Sequence, residues 1–271
     1  MKWMRYQHAG LDGFGALQGD HVQPYQGDLF GAHEAVGAPL PLYDLVWRTP
    51  CTPGKMLALW NNFHAAAAKN NWPPPADPLY FVKTPNSFAP HARPVLQPVG
   101  YQGRVLFEGE LAIVIGRQTC RVSPQAAPEH VFGYTCANDV TAFDLLNTDP
   151  AFPQWTRAKG FDGFGVFGPV IDTDFDPTRP GAAVRTVVAG QERQNYAVAD
   201  MFFSPAELVS RISHDMTLEA GDVILCGTSV GAGSLKPGQL MEVIIDGIGT
   251  LSNVYQPLAA QAPGRTPQGS G

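Results

Sequence analysis

Charge is scarce in this chain of 271 residues. Lys and Arg number 18 and Asp and Glu 24, so charged residues make up 15% and the net charge is −6. Globular chains usually carry about 25%. Disorder pairs high charge with low hydrophobicity, and here the hydrophobic fraction is 44%, which excludes it as a global description. No basic run occurs, and the pI is near 5.6. Nucleic acid is therefore not expected as a partner. No apolar run approaches the roughly 18–20 residues of a membrane span, so no membrane association is expected. The opening segment, Met1 to His8, lacks an apolar core of signal-peptide length, so a cytoplasmic protein is expected. Cysteine is sparse as well. Cys51, Cys120, Cys136 and Cys226 are widely spaced and form no Cys-x-x-Cys pair. They read as reduced, mostly buried thiols rather than a zinc site or a disulfide framework.

Turn formers are abundant, with 29 Gly and 25 Pro and no fixed period. Short apolar runs separate them, as in Leu79–Lys83, Val105–Gly116, Gly133–Ala137, Val166–Ile171, Val184–Val188, Asp222–Cys226 and Leu240–Asp246. These read as strands, and no strand–helix alternation supports a doubly wound sheet. The fold expected is mainly β with a few helices. Residues 1–50 read as a small N-terminal β subdomain, 51–257 as the main domain, and 258–271, rich in Pro, Gly and Gln, as a disordered tail. Four alanines at 65–68 predict a short helix after His64. Ser204, Pro205 and Glu207 predict a capped helix over 204–213.

The informative chemistry lies in Phe107-Glu108-Gly109-Glu110-Leu111. In a strand, i and i+2 share a face. Two carboxylates side by side at the mouth of a buried run repel each other and lose hydration. A hard divalent cation removes both costs. The alternative is a strand end at which both are hydrated. Asp139, at the end of the 133–137 run, is either a third oxygen ligand or a helix cap. Lys159, between aromatic and glycine residues, suits a substrate carboxylate or enolate oxygen, though lone lysines are usually solvated. The glycine-rich stretch 226–233 lacks the Lys of a P-loop, which argues against nucleotide binding.

The phrases FEGELAIVIG at 107–116, GYTCANDVTAFD at 133–144, AKGFDGFGVFGP at 158–169, LEAGDVILCGT at 218–228 and KPGQLMEVIIDGIGTLSN at 236–253, in this order, resemble the fumarylacetoacetate hydrolase family over roughly residues 50–257. The N-terminal residues resemble the small β subdomain of bacterial members. The resemblance implies a mixed β-roll and a homodimer. It implies Mg²⁺ or Mn²⁺ (with Ca²⁺ as a crystallographic substitute) on Glu108, Glu110 and Asp139. It also implies catalytic roles for Lys159 and His64, and substrate contacts for Lys83 and Thr228. The implied substrates are small 2-oxo or 2,4-dioxo acids.

Two departures bear on the reaction. Relatives commonly carry His-x-x-Glu on the lid helix, whereas this chain reads His64-Ala65-Ala66-Ala67. Many also carry Arg at the position of Phe143, so a less anionic or differently shaped substrate is suggested. The leading expectation is a metal-dependent hydrolase that cleaves a C–C bond of an acylpyruvate- or fumarylpyruvate-like acid. The first alternative is an oxaloacetate-type decarboxylase, which tolerates loss of the His–Glu pair better, or a 2-hydroxyhepta-2,4-diene-1,7-dioate-type isomerase. The second is a non-catalytic binding homologue.

Overall fold

Strand Gly109–Ile115 is buried at every position, and its alternation explains why. Leu111, Ile113 and Ile115 enter one hydrophobic cluster, and Ala112 and Val114 the other. Period-two side chains thus fill the cores on both faces of one strand. In the computed structural model, which describes residues 1–257, this strand lies inside a 13-stranded sheet. It pairs antiparallel with Val131–Asp139 on one side and Val223–Leu225 on the other. The latter pairs parallel with Met56–Trp60, which pairs antiparallel with Leu79–Lys83. A five-stranded sheet, running from Val95–Leu96 through Gly249–Gln256 to Gln191–Ala197, packs against the first. The mainly β architecture read from the sequence is the one observed. The tail expected at 258–271 lies outside the described residues.

The first 50 residues form hairpins from Lys2–His8, Leu11–Gln18 and His21–Gly27. Ala9 and Gly10 take φ of 48° and 83°, the left-handed pair that a tight two-residue hairpin turn requires. These strands do not stand apart. Lys2–His8 pairs with Gly165–Asp172, so the N-terminal hairpins continue the central sheet.

The single strand expected over Val105–Gly116 is two strands. Val105–Phe107 belongs to a separate three-stranded sheet with Thr141–Ala142 and Gly233–Ser234. The break falls at Glu108, where distant side chains capture the backbone. Glu108 N–H donates to Asn138 Oδ1 at 2.9 Å, and Gly109 N–H donates to Gln194 Oε1 at 3.0 Å. A Cβ at Gly109 would lie 2.0 Å from Thr186 Oγ1; the close approach excludes a side chain there.

The helix Pro205–Asp215 starts with the predicted capping box. The alanine-rich helix spans His64–Asn70 and ends on Asn71 in the left-handed conformation. Cys51, Cys136 and Cys226 are buried, Cys120 is exposed and all four are free. Among the described residues no helix is long and apolar enough to cross a membrane.

Candidate metal centre

The break at Glu108 brings three carboxylates together. Glu110 follows on the buried strand, and Asp139 ends the adjacent strand, where its N–H donates to Glu108 O at 2.9 Å. One oxygen from each of Glu108, Glu110 and Asp139 lies within 4.8 Å of the others. Thr141 Oγ1 donates to Glu108 Oε1 at 2.8 Å, and Gly227 N–H donates to Glu110 Oε2 at 2.7 Å. Glu110 Oε1 is buried with no hydrogen-bond partner. A buried acceptor left unpaired is costly, and this one belongs to a carboxylate that has an oxygen within 4.8 Å of oxygens of Glu108 and Asp139. Hard oxygen donors and an orphaned carboxylate oxygen fit a divalent cation of the Mg²⁺ or Mn²⁺ kind.

Two lysines balance the triad. Lys159 Nζ donates to Glu108 Oε2 at 2.7 Å and Asp139 Oδ2 at 2.6 Å. It comes from the short helix Trp155–Lys159. Lys83 donates to Asp139 Oδ1 and, at 2.8 Å, to the carbonyl of Lys159. With all groups ionised, three negative and two positive charges leave the cluster at −1. A bound dication would turn it to +1, a match for a monoanionic oxo acid.

The titration shifts follow this arrangement. Burial, then the charges of Asp139 and Glu108, push the Glu110 carboxyl well above its ordinary value. Burial acts in the same direction on Asp139, but Lys159 and Lys83 outweigh it and hold that carboxyl low. Burial works against the Lys159 ammonium too, yet Asp139 and Glu108 keep it charged beyond its usual range. Lys83, with 0% exposure, is drawn down by burial, and Asp139 opposes that shift.

A cavity of about 780 Å³ opens onto the cluster. Of the triad Glu108 lines it, together with Lys159 and Thr228. Thr228 Oγ1 donates to Gly109 O at 2.9 Å and accepts from Gln194 Nε2 at 2.8 Å. The structure thus gathers six of the seven residues singled out in the sequence. Lys83, expected at the substrate, instead lies beneath Asp139 and does not line the cavity. His64 is not brought to the site at all. It is exposed, with its ring 3.9 Å from that of Phe202. Ala66, Lys69 and Asn70 are the positions of its helix that line the cavity. Ala67 is buried.

Two features escaped sequence reasoning. Gln194 ties Gly109 to Thr186, Thr228 and Ser229, and nothing local marks it. The cavity's aromatic wall includes Trp155, whose spacing from Lys159 (i, i+4) puts both on one helix face; that signal was available.

The C-terminal domain of the Fumarylacetoacetate (FAA) hydrolase family matches residues 55–256, and the Rv2993c-like N-terminal domain matches residues 1–50. The chain belongs to the fumarylacetoacetate hydrolase family. It is 38% identical to the oxaloacetate tautomerase YisK of Bacillus subtilis, over 66% of this chain and 61% of that protein. The fold superposes on a 2-hydroxyhepta-2,4-diene-1,7-dioate isomerase from Mycobacterium marinum with a TM-score of 0.87, at 33% identity over 96% of this chain and all of that one (100%). It also matches a fumarylpyruvate hydrolase from Pseudomonas aeruginosa in complex with Mn²⁺ and pyruvate, with a TM-score of 0.69 and 29% identity, over 76% of this chain and 90% of that one.

Proposed function

We propose that this protein is a divalent-metal-dependent tautomerase that interconverts the enol and keto forms of a small 2-oxo acid. The observation that carries this reading is the composition of the cavity wall. Among the described residues its cationic lining side chains are Lys159, at the triad, and Lys69, exposed near the end of its helix, and no histidine lines it. Hydrolysis of a C–C bond needs a base to activate water. The residue expected in that role, His64, faces solvent beside Phe202. Enol–keto exchange needs a stabilised enolate and a proton donor, and no activated water. The hydrolase expected from the resemblance is therefore set below the tautomerase. A decarboxylase of the same acids would share the enolate and is the second reading.

Glu108, Glu110 and Asp139 would hold the cation, which supplies Lewis-acid polarisation of the 2-oxo group when bound. The chain's own residues supply the rest. Asp139 and Glu108 keep the Lys159 ammonium charged, so a fixed positive charge stands where the enolate oxygen develops. Lys159 Nζ, which lines the cavity and donates to Glu108 Oε2 and Asp139 Oδ2, serves as a hydrogen-bond donor to that oxygen, while the proton lost from the enol hydroxyl goes to water and C3 takes its proton from water. Lys83 positions Asp139 and the carbonyl of Lys159 from beneath. Thr228 and the backbone around Gly227 shape the end that receives the carboxylate. The reading keeps the homodimer that the resemblance implies.

The test is the decay of enol-oxaloacetate and enol-phenylpyruvate absorbance in the presence of Mg²⁺-loaded protein, with EDTA in a parallel sample. Acceleration that EDTA and Lys159→Met both abolish supports the reading. Decay at the rate of Mg²⁺ alone, for enol-oxaloacetate and for enol-phenylpyruvate alike, overturns it.

A further inference from the structure

The cavity's remaining wall says more about the substrate than the triad does. Phe81 lies with its ring centroid 5.3 Å from Lys159 Nζ. Trp155 stacks on Phe81 at 5.0 Å with 15° between the planes. Trp60 follows at 5.9 Å from Trp155, and Trp72 at 4.9 Å from Trp60. All four line the cavity, and so does Phe143. An unbroken aromatic wall thus leads from the ammonium to the alanine-rich helix. These centroid separations are those at which aromatic rings attract one another edge-on or offset.

Charge is absent from that wall. Among the described residues, the only charged residue lining the cavity apart from Glu108 and Lys159 is Lys69, which is exposed near the end of its helix. Arg104 sits 4.6 Å above the Phe143 ring but donates to Asp144 through Nε at 3.0 Å and Nη2 at 2.5 Å, and does not line the cavity. A second carboxylate on the substrate would lose its hydration against tryptophan without a buried partner. The cavity of about 780 Å³ is also sized for a ligand well beyond a four-carbon acid.

We propose that the substrate is a 2-oxo acid whose distal substituent is an uncharged aromatic ring, seated between Trp60, Trp72, Trp155 and Phe143. This rests on the metal–oxo-acid reading above.

The test is a ladder of three acids titrated calorimetrically into the Mg²⁺-loaded protein: pyruvate, oxaloacetate and phenylpyruvate. Tryptophan fluorescence is followed in parallel. Phenylpyruvate is expected to bind at least about tenfold more tightly than pyruvate and to quench tryptophan emission. Phe143→Arg and Trp60→Leu should each lower the phenylpyruvate-to-pyruvate affinity ratio, and Phe143→Arg should raise the preference for oxaloacetate. A gain of oxaloacetate binding cannot come from misfolding. Phenylpyruvate binding no tighter than pyruvate, or a wild-type preference for oxaloacetate, overturns the aromatic substrate and leaves the metal–oxo-acid site standing. If none of the three acids binds in an Mg²⁺-dependent way, the underlying reading falls and the proposal with it.

Discussion

Replacing Glu110 with Gln is expected to strengthen the metal-free fold while destroying the metal site. Glu110 is fully buried and one of its oxygens has no partner. Glu108 and Asp139 place ligand oxygens within 4.8 Å of it. At an effective dielectric of about 20, two unit charges at that separation repel by about 3.5 kcal/mol. Lys159 lowers the cost without cancelling it, since burial and the two carboxylates still leave the Glu110 carboxyl raised. Removing the charge should therefore stabilise the metal-free protein by about 1–3 kcal/mol near neutral pH. Glutamine keeps an oxygen to accept from Gly227 and adds an amide donor beside two carboxylates.

The pH dependence has a definite sign. The folded-state value lies above the ordinary 4.5. The wild-type carboxyl thus contributes stability below that pH and loses it as pH rises through the raised value. Glutamine does not titrate, so the advantage of the variant is absent in acid and grows toward neutral pH. Guanidinium denaturation of both proteins in EDTA across that range measures this, and thermal melts with and without Mg²⁺ measure the lost site. A variant less stable than wild type in EDTA at neutral pH would refute the reasoning. So would one that keeps the full metal-induced rise in Tm.

Lys83→Met should destabilise the protein by about 3–5 kcal/mol in denaturant titrations, because it strips one partner from a buried ion pair. His64→Ala should leave kcat/KM for the enol–keto reaction unchanged, and a large fall would restore the histidine to the mechanism. Ser204→Ala removes the capping box of helix Pro205–Asp215 and should cost about 0.5–2 kcal/mol. The Ser204 hydroxyl and backbone N–H hold the Glu207 carboxyl below 4.5. Its share of stability is present above that pH and lost as pH falls through the lowered value, and Glu207→Gln should remove that acid-side dependence in unfolding curves.

Much of the site was legible because it is local. The apolar run after Glu110 marks a doubly buried strand, and two glutamates at its mouth mark an electrostatic problem that a cation would relieve. The capping box at Ser204 is likewise written in four consecutive residues. What was missed depends on residues far apart in the chain. The strand breaks at Glu108 because Asn138 and Gln194 arrive from other strands to take its neighbouring N–H groups. The depth of Lys83 was readable in part, since alternation puts it on the same face as the buried Phe81. Its partner Asp139, 56 residues away, was not. The orientation of His64 follows from the phase of a helix of seven residues, too short for its pattern to say which side meets the cavity. The aromatic wall draws Trp60, Trp72, Phe81 and Trp155 from three separate elements and an intervening loop, a convergence that composition cannot show.

The central claim is that this site makes an enolate with a metal and does not activate water. Proton NMR in D₂O tests it most directly. Mg²⁺-loaded protein would be given a stable 2-oxo acid, 2-oxobutyrate, together with acetylpyruvate as a hydrolysis reporter, and EDTA would be added to a parallel sample. The account predicts EDTA-sensitive loss of the C3 proton signal of 2-oxobutyrate to deuterium, with no acetate released from acetylpyruvate. Acetate appearing in an EDTA-sensitive manner, or C3 exchange no faster than with Mg²⁺ alone, would contradict it.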